Sequence, residues 1–259
     1  RSLEFFPPKS EEAARQLERT VAELAPLRPS FASVTYGALG STQARTREWV
    51  VRMNAEQPFP TMAHLTCVGH RRDDVRALLD DYARDGVCNI LALGGDPPAD
   101  GSDPGGDFRH AIELVEIVRD HPAGFSVGVA AHPECHLAEK LELADFAITQ
   151  FFFGVEHYER LRDELAALGC HRPVIAGVMP IVNVAGLRRM AVMNRTAIPA
   201  PLAERLDAVD GDPRAVADLG VEVAADLCAR LMEAGAPGLH LYTLNRSESV
   251  RRIWEGLPA

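Results

Sequence analysis

Several side chains capable of acid–base or binding chemistry sit where short apolar runs end. Glu4 lies inside an otherwise apolar run, residues 3–6. Thr35-Tyr36-Gly37 ends a second run, His64 a third, and Asp96 follows a fourth that closes on Gly94-Gly95. His132-Pro133-Glu134-Cys135-His136 follows a fifth, Gln150 ends a sixth just before three phenylalanines, and Tyr242 through Arg246 closes the last. Ionised carboxylates are rarely buried alone. Glu4 is therefore either paired with an arginine at the base of a core or kept protonated by desolvation, the state a proton donor needs. A fixed carboxylate such as Asp96 can stabilise a cation that develops beside it. Gln150, read as a buried amide among aromatics, needs partners for both its donor and its acceptor.

Each of these residues also has a purely structural reading. A lone histidine such as His64 is more often a satisfied core residue than a functional one. Tyr36 and the phenylalanines, Phe151 above all, can simply fill space between sheet and helices. His132-x-Glu134-x-His136 would share one face of a strand, but Pro133 interrupts pairing and helix-like sequence follows, so no metal is expected. Gly94-Gly95-Asp96 lacks the GxGxxG spacing of a dinucleotide fingerprint and is weak as a phosphate loop.

The elements that position these residues follow from hydrophobic period. Runs rich in β-branched or aromatic residues at 3–6, 31–35, 61–66, 89–93, 126–131, 146–150, 174–179 and 239–242 read as strands. They alternate with amphipathic stretches at 11–24, 44–53, 73–85, 108–118, 156–168, 184–193 and 247–254, and a short helix precedes residue 146. Eight strand–helix units at a mean spacing of roughly 32 residues imply a parallel sheet. Closed on itself, that sheet is a (β/α)₈ TIM barrel, an α/β fold forming one catalytic domain over residues 1–259; a doubly wound open sheet is the competing arrangement. Two stretches break the rhythm. Residues 94–107, rich in Gly, Pro and Asp, read as an ordered active-site loop or a mobile lid. Residues 198–230 add helical sequence between the seventh and eighth strands, with Asp212 placed as an N-cap ahead of Pro213.

Bulk properties exclude several classes. The formal charge is −10 and no dense basic run occurs, so a nucleic-acid footprint is missing. Five widely spaced cysteines without a CxxC pair suggest neither a disulfide framework nor a zinc cluster. Residues 1–8 contain no signal-like apolar core, and no apolar run reaches ~20 residues. A cytoplasmic protein without membrane or nucleic-acid partners is expected; a homo-oligomer is compatible with the sequence.

Taken together, the strings resemble the methylenetetrahydrofolate reductase family. Leu3-Glu4-Phe5-Phe6-Pro7-Pro8-Lys9 is similar to its N-terminal signature. Ser33-Val34-Thr35-Tyr36-Gly37-Ala38, His64-Leu65-Thr66-Cys67, Ala147-Ile148-Thr149-Gln150-Phe151-Phe152-Phe153 and Tyr242-Thr243-Leu244-Asn245-Arg246 follow in the family's order. The resemblance implies reduction of 5,10-methylenetetrahydrofolate to 5-methyltetrahydrofolate with NADH or NADPH, usually through bound FAD. It implies that Glu4 is the general acid, Asp96 the carboxylate beside the reacting ring, and Gln150 the contact to the folate pterin. Thr35, Tyr242 and Arg246 would join Gln150 in holding substrate. His64, Gly94, Gly95, His110, His132 and His136 are assigned to the cofactor.

Two departures bear on the flavin. The fourth loop reads Gly94-Gly95-Asp96 where the family has Arg-Gly-Asp. The fifth connection lacks the longer helical insert that carries flavin contacts, leaving only residues 137–145 after His136, with Lys140 as its one basic side chain. Hydrogen bonds to charged groups are worth roughly 1.5–3 kcal/mol each. Losing two or three would weaken a dinucleotide by on the order of a hundred-fold to several thousand-fold. Direct hydride transfer without FAD is therefore expected, with Arg109, His110 or Lys140 as compensating contacts if FAD is held after all. The alternatives are the conventional FAD-dependent ping-pong enzyme and a non-catalytic folate-binding or regulatory subunit.

Overall fold

The computed structural model describes residues 1–36, 43–95, 103, 105–131 and 136–258. Eight strands, β1 (Ser2–Phe5), β2 (Ala32–Val34), β3 (Thr61–Thr66), β4 (Asn89–Leu93), β5 (Ser126–Ala131), β6 (Phe146–Thr149), β7 (Val174–Val178) and β8 (Leu239–Tyr242), pair in chain order and close into a barrel. Every pairing is parallel, and β1 joins β8 with Ser2 opposite His240 and Glu4 opposite Tyr242. That closure excludes the open sheet.

The helices are α1 (Glu11–Leu24), α2 (Gln43–Glu56), α3 (Arg72–Arg84), α4 (Ala111–Asp120), α5 (Leu137–Leu143), α6 (Val155–Ala167), α7 (Val184–Met193), α8 (Ala200–Val209), α9 (Pro213–Glu233) and α10 (Glu248–Gly256). Their starts follow local chemistry. Ser10 Oγ accepts the Ala13 N–H at 3.2 Å ahead of α1, and Leu17, Val21 and Leu24 form its buried stripe. Asp212 Oδ1 accepts the N–H groups of Arg214 and Ala215 at 2.9 and 3.1 Å, with Pro213 at the first helical position as the sequence predicts. The fourth helix begins at Ala111, later than expected, because Glu113 Oε1 reaches back to the N–H groups of Arg109 and His110 at 2.8 and 3.0 Å and closes the turn there.

Strand residues divide between two cores. Outward side chains such as Leu3, Phe5, Val34, Leu65, Ile90, Val129 and Leu241 are buried beneath the helices, which is why the strands read as nearly continuous apolar runs. Inside the barrel, Met62, Leu91 and Ile148 pack with Phe31, Leu93, Phe146 and Ile175. At Gly128 an added Cβ would lie 2.9 Å from atoms of Leu91 and Phe146, so this plug is filled. The polar interior residues occupy the space above it.

A third cluster ties α7, α8 and α9 to the ends of β6 and β7 through Phe151, Met179, Ile181, Leu187, Leu206 and Leu219. Phe151 thus fills space, as its structural reading held. The strands expected to run to 150 and 179 stop at Thr149 and Val178. Of the loop at 94–107, only residues 94, 95, 103 and 105–107 lie among those described. Among the described residues, no helix is long and apolar enough to cross a membrane.

Gly220 shows how closely α9 approaches the barrel, because a Cβ there would overlap the Ile181 carbonyl. Alanine favours a helix interior by about 1 kcal/mol over glycine, whereas overpacking against backbone costs roughly 1–3 kcal/mol. Gly220→Ala is expected to destabilise the fold by about 1–2 kcal/mol, read as a lower Tm. A Tm at or above that of the wild type would show that α9 does not sit this tightly.

Candidate active site

Glu4 is buried, with 7% of its surface exposed, and it enters the barrel from β1 above the apolar plug. Three groups from three other strands converge on its Oε2. His240 Nε2 and His64 Nε2 each lie 3.4 Å away, and Ser33 Oγ lies at 3.5 Å. The contacts are not equivalent. His240 is within hydrogen-bonding geometry of Oε2, whereas His64 Nε2 makes no hydrogen bond despite its burial. His64 thus approaches Glu4 with poorer alignment than His240. None of the described residues bonds Oε1, which leaves that oxygen for a ligand. The arginine partner considered from sequence is absent from this set, and the floor of the barrel is apolar instead.

This surrounding reverses the expected protonation of Glu4. Burial pushes its carboxyl up most strongly, but the hydrogen bonds and charges of His240 and His64 together outweigh it and hold the group down at about 2. Desolvation alone would have kept it protonated; the histidines keep the resting carboxylate ionised. His64 and His240 reach Glu4 only because the barrel closes.

Tyr242 stands opposite Glu4 on β8. Its hydroxyl donates to the Thr149 carbonyl at 2.6 Å, crossing over Gly177, whose N–H goes instead to Thr149 Oγ1 at 2.8 Å. An added Cβ at Gly177 would overlap the Thr149 carbonyl and lie 2.6 Å from the tyrosine oxygen, so glycine is required for this reach. Burial and the charge of Glu4 raise the phenol well above its ordinary value. Tyr242 thus links Glu4 to the end of β6, where Gln150 follows. Gln150 is exposed rather than buried; its amide has no partner among the described residues and faces no internal demand.

Two residues of the string that closes β8, to which sequence alone gives no role, fasten Glu4 in place. Thr243 donates its hydroxyl to the Glu4 carbonyl at 2.6 Å, and its N–H donates there at 3.0 Å. Asn245 Oδ1 accepts the Phe6 N–H and its Nδ2 donates to the Phe6 carbonyl, both at 2.9 Å. Asn245 adopts φ 54°, a left-handed conformation that asparagine tolerates. An asparagine among otherwise loop-like residues was the available signal. Arg246 is exposed immediately beyond this clamp.

Other assigned residues are distributed around the strand ends. Thr35 donates its N–H to the Phe5 carbonyl at 2.9 Å, placing it beside the end of β1. The Gly94 carbonyl accepts from Cys67 Sγ and the Val68 N–H, both at 3.1 Å. Gly95 has φ 85°, and a Cβ there would press on Val68 and Thr66. His110 is exposed at the start of α4, and exposed His136 pairs with Glu139 at 3.1 Å at the start of α5. Asp96 and His132 lie outside the described residues. A separate cleft of about 500 Å³, lined by Gln43, Gly69, His70, Asp74 and Asp81 among others, includes none of the assigned residues. Cys67, Cys88, Cys170 and Cys228 are free thiols.

The depressed carboxyl has a consequence for stability. A group held below its unfolded value stabilises the fold fully above that value, and the contribution disappears as pH falls through the folded one. The wild type should therefore lose stability relative to Glu4→Gln as the pH drops from about 4.5 toward 2. Denaturant melts of both proteins across this window measure it; a pH-independent difference would contradict the histidine-held carboxylate.

The family model described as methylenetetrahydrofolate reductase matches residues 1–258. The 5,10-methylenetetrahydrofolate reductases of Pectobacterium carotovorum subsp. carotovorum and Escherichia coli (strain K12) are each 34% identical over 260 residues, covering 95% of this chain and 86% of theirs. Methylenetetrahydrofolate reductase (NADH) 1 of Arabidopsis thaliana is 33% identical, covering 96% of this chain and 46% of that one. An uncharacterized protein from Clostridium thermocellum that binds two copies of 5-methyl-5,6,7,8-tetrahydrofolic acid superposes with a TM-score of 0.67, covering 98% of this chain and 92% of that one. At 15% identity this last likeness concerns the fold alone. The chain belongs to the methylenetetrahydrofolate reductase family and is an NAD(P)H-linked oxidoreductase.

Proposed function

We propose that this reductase passes hydride directly from NADH or NADPH to the folate one-carbon unit, without FAD between them, and that Glu4 is its proton donor. The observation that carries the flavin-free reading is the fate of Lys140. That side chain is buried, and its Nζ donates to the Ala130 carbonyl at 3.0 Å. The one basic residue of the shortened fifth connection thus turns inward to cap β5 and is withdrawn from a pyrophosphate. Gly94, where the family has arginine, contributes only backbone. Among the described residues these two positions present no outward basic side chain to a pyrophosphate, which supports the flavin-free reading.

The proposed chemistry needs a proton and a hydride in order. Opening the methylene bridge breaks a C–N bond, whose electron pair and an added proton go to the folate nitrogen. The 5-iminium cation left behind accepts the hydride. Glu4, ionised at rest, would first take a solvent proton on Oε1, which has no bond among the described residues, and then deliver it to the folate nitrogen. Asp96, two residues beyond Gly94, would stabilise the cation. Gln150 would orient the pterin with its exposed amide, and Thr35, Tyr242 and Arg246 would enclose it. His64, Gly94, Gly95, His110, His132 and His136 remain the proposed nicotinamide contacts.

General acids contribute typically 10²–10⁴-fold. Glu4→Gln is expected to lower kcat at least a hundred-fold while the protein stays folded; wild-type turnover in that variant would remove the acid assignment. Direct transfer requires both ligands together, so initial rates should follow a ternary-complex pattern with colourless purified protein and no added flavin. Ping-pong kinetics, or stoichiometric flavin released on denaturation, would establish the FAD-dependent reading instead. Absence of any folate-dependent NADH or NADPH oxidation would favour a non-catalytic folate-binding protein.

A further inference from the structure

Past Ile148 the ladder between β6 and β7 stops, and side chains hold the next three residues instead. Thr149 is buried, and both of its oxygens are used. Its hydroxyl accepts the Gly177 N–H at 2.8 Å, and its carbonyl accepts the Tyr242 hydroxyl at 2.6 Å. The Phe151 carbonyl accepts from Asn194 Nδ2 at 3.0 Å, and the same nitrogen lies 2.7 Å from Thr196 Oγ1. The Phe151 ring is buried among Met179, Ile181 and Leu187 and meets Phe153 edge-on at 5.9 Å. Gln150 stands between these two held residues. Its own side chain is exposed and makes no hydrogen bond to the described residues.

The two anchors come from different parts of the fold. Tyr242 ends β8, and its ring stands edge-on to His240 at 5.6 Å while packing on the cluster that holds Phe151. Asn194 is the C-cap of α7, which packs with α8 and α9, and its own N–H is used on the Met190 carbonyl at 2.9 Å. A segment that is mobile before it binds must be ordered at the moment of binding, and that cost is subtracted from affinity. With residues 149 and 151 fixed, only the side-chain torsions of Gln150 remain to be ordered. An amide carried in this way can bring its donor and its acceptor to a ring edge together. Such placement depends on supporting hydrogen bonds behind the contacting group.

We propose that Tyr242 and Asn194 are positioning residues for the folate: they hold the backbone on either side of Gln150, so that its amide is placed for the pterin before substrate arrives. The inference rests on the reading of Gln150 as the pterin contact. It gives the helices between β7 and β8 a part in substrate recognition, with Asn194 acting through Phe151 and Gln150. It also commits the Tyr242 hydroxyl to the protein, so that only the ring is left to enclose the ligand.

Double-mutant cycles test the coupling. Tyr242→Phe keeps the ring and loses the bond to Thr149; Asn194→Ala loses the amide that serves Phe151 and Thr196. Each is expected to raise the folate KM, and the Kd for 5-methyltetrahydrofolate read by calorimetry, by about fivefold, with the nicotinamide KM within about twofold. In a Gln150→Ala background the same substitutions should change the folate constants by less than about twofold, because the group they position is gone. Equal effects in both backgrounds would overturn the proposal, since Tyr242 and Asn194 would then act on folate directly or through general packing. A nicotinamide KM that rises in step with the folate KM would overturn it too. If Asn194→Ala does not fold, the Tyr242→Phe cycle decides. An unchanged folate KM in Gln150→Ala would fail the pterin assignment itself; a raised one with additive cycles would fail only the anchoring.

Discussion

A carboxylate held inside a closed barrel is the constraint around which the rest is arranged. Taking a charge out of water is costly unless it is paired and hydrogen-bonded. Glu4 is tolerated because Ser33, His64 and His240 crowd one of its oxygens from three other strands. None of the three is near it in the chain. Barrel closure, with β8 returning to β1, brings His240 into place, so the fold and the ionisation state of Glu4 are one problem.

The layers beneath and above follow from that arrangement. Phe31, Met62, Leu91, Phe146, Ile148 and Ile175 fill the interior below, which keeps water from the polar cluster on that side. Above it, Thr243 and Asn245 bind the backbone of Glu4 and Phe6. A side chain in a barrel has only the freedom its backbone leaves it. Catalytic geometry tolerates little misplacement, and this clamp transfers the rigidity of the β8 end to the β1 end. Gly177 performs the complementary service on the other side of the tyrosine: by lacking a side chain it lets Tyr242 span to Thr149.

The short fifth connection is organised around one basic residue. Only 14 residues separate β5 from β6, and α5 has seven of them. Lys140, on that helix, completes a strand-end carbonyl instead of reaching outward. The one basic residue of this connection is thereby drawn into the barrel wall. Loops at strand ends are where such barrels vary in chemistry while the core persists.

The hydrophobic period was sufficient to place eight strands and the added helices before β8, and turn chemistry located the start of α9 at Asp212 and Pro213. These are local properties, carried by neighbouring residues. The apolar context of Glu4 marked it as unusual for the same reason. What period and context could not supply was its company: whether arginine, histidine or nothing faced it depended on which strands become neighbours and at what height. Burial by itself argued for a protonated acid, and the histidines from β3 and β8 argue for a carboxylate. Likewise Gln150 read as buried from its aromatic neighbours, yet β6 ends one residue earlier because Tyr242 takes the Thr149 carbonyl, and the amide comes free at the mouth. Residue types were legible along the chain; their protonation, exposure and partners came from closing the sheet, since electrostatics depends on distance in space rather than on separation in sequence.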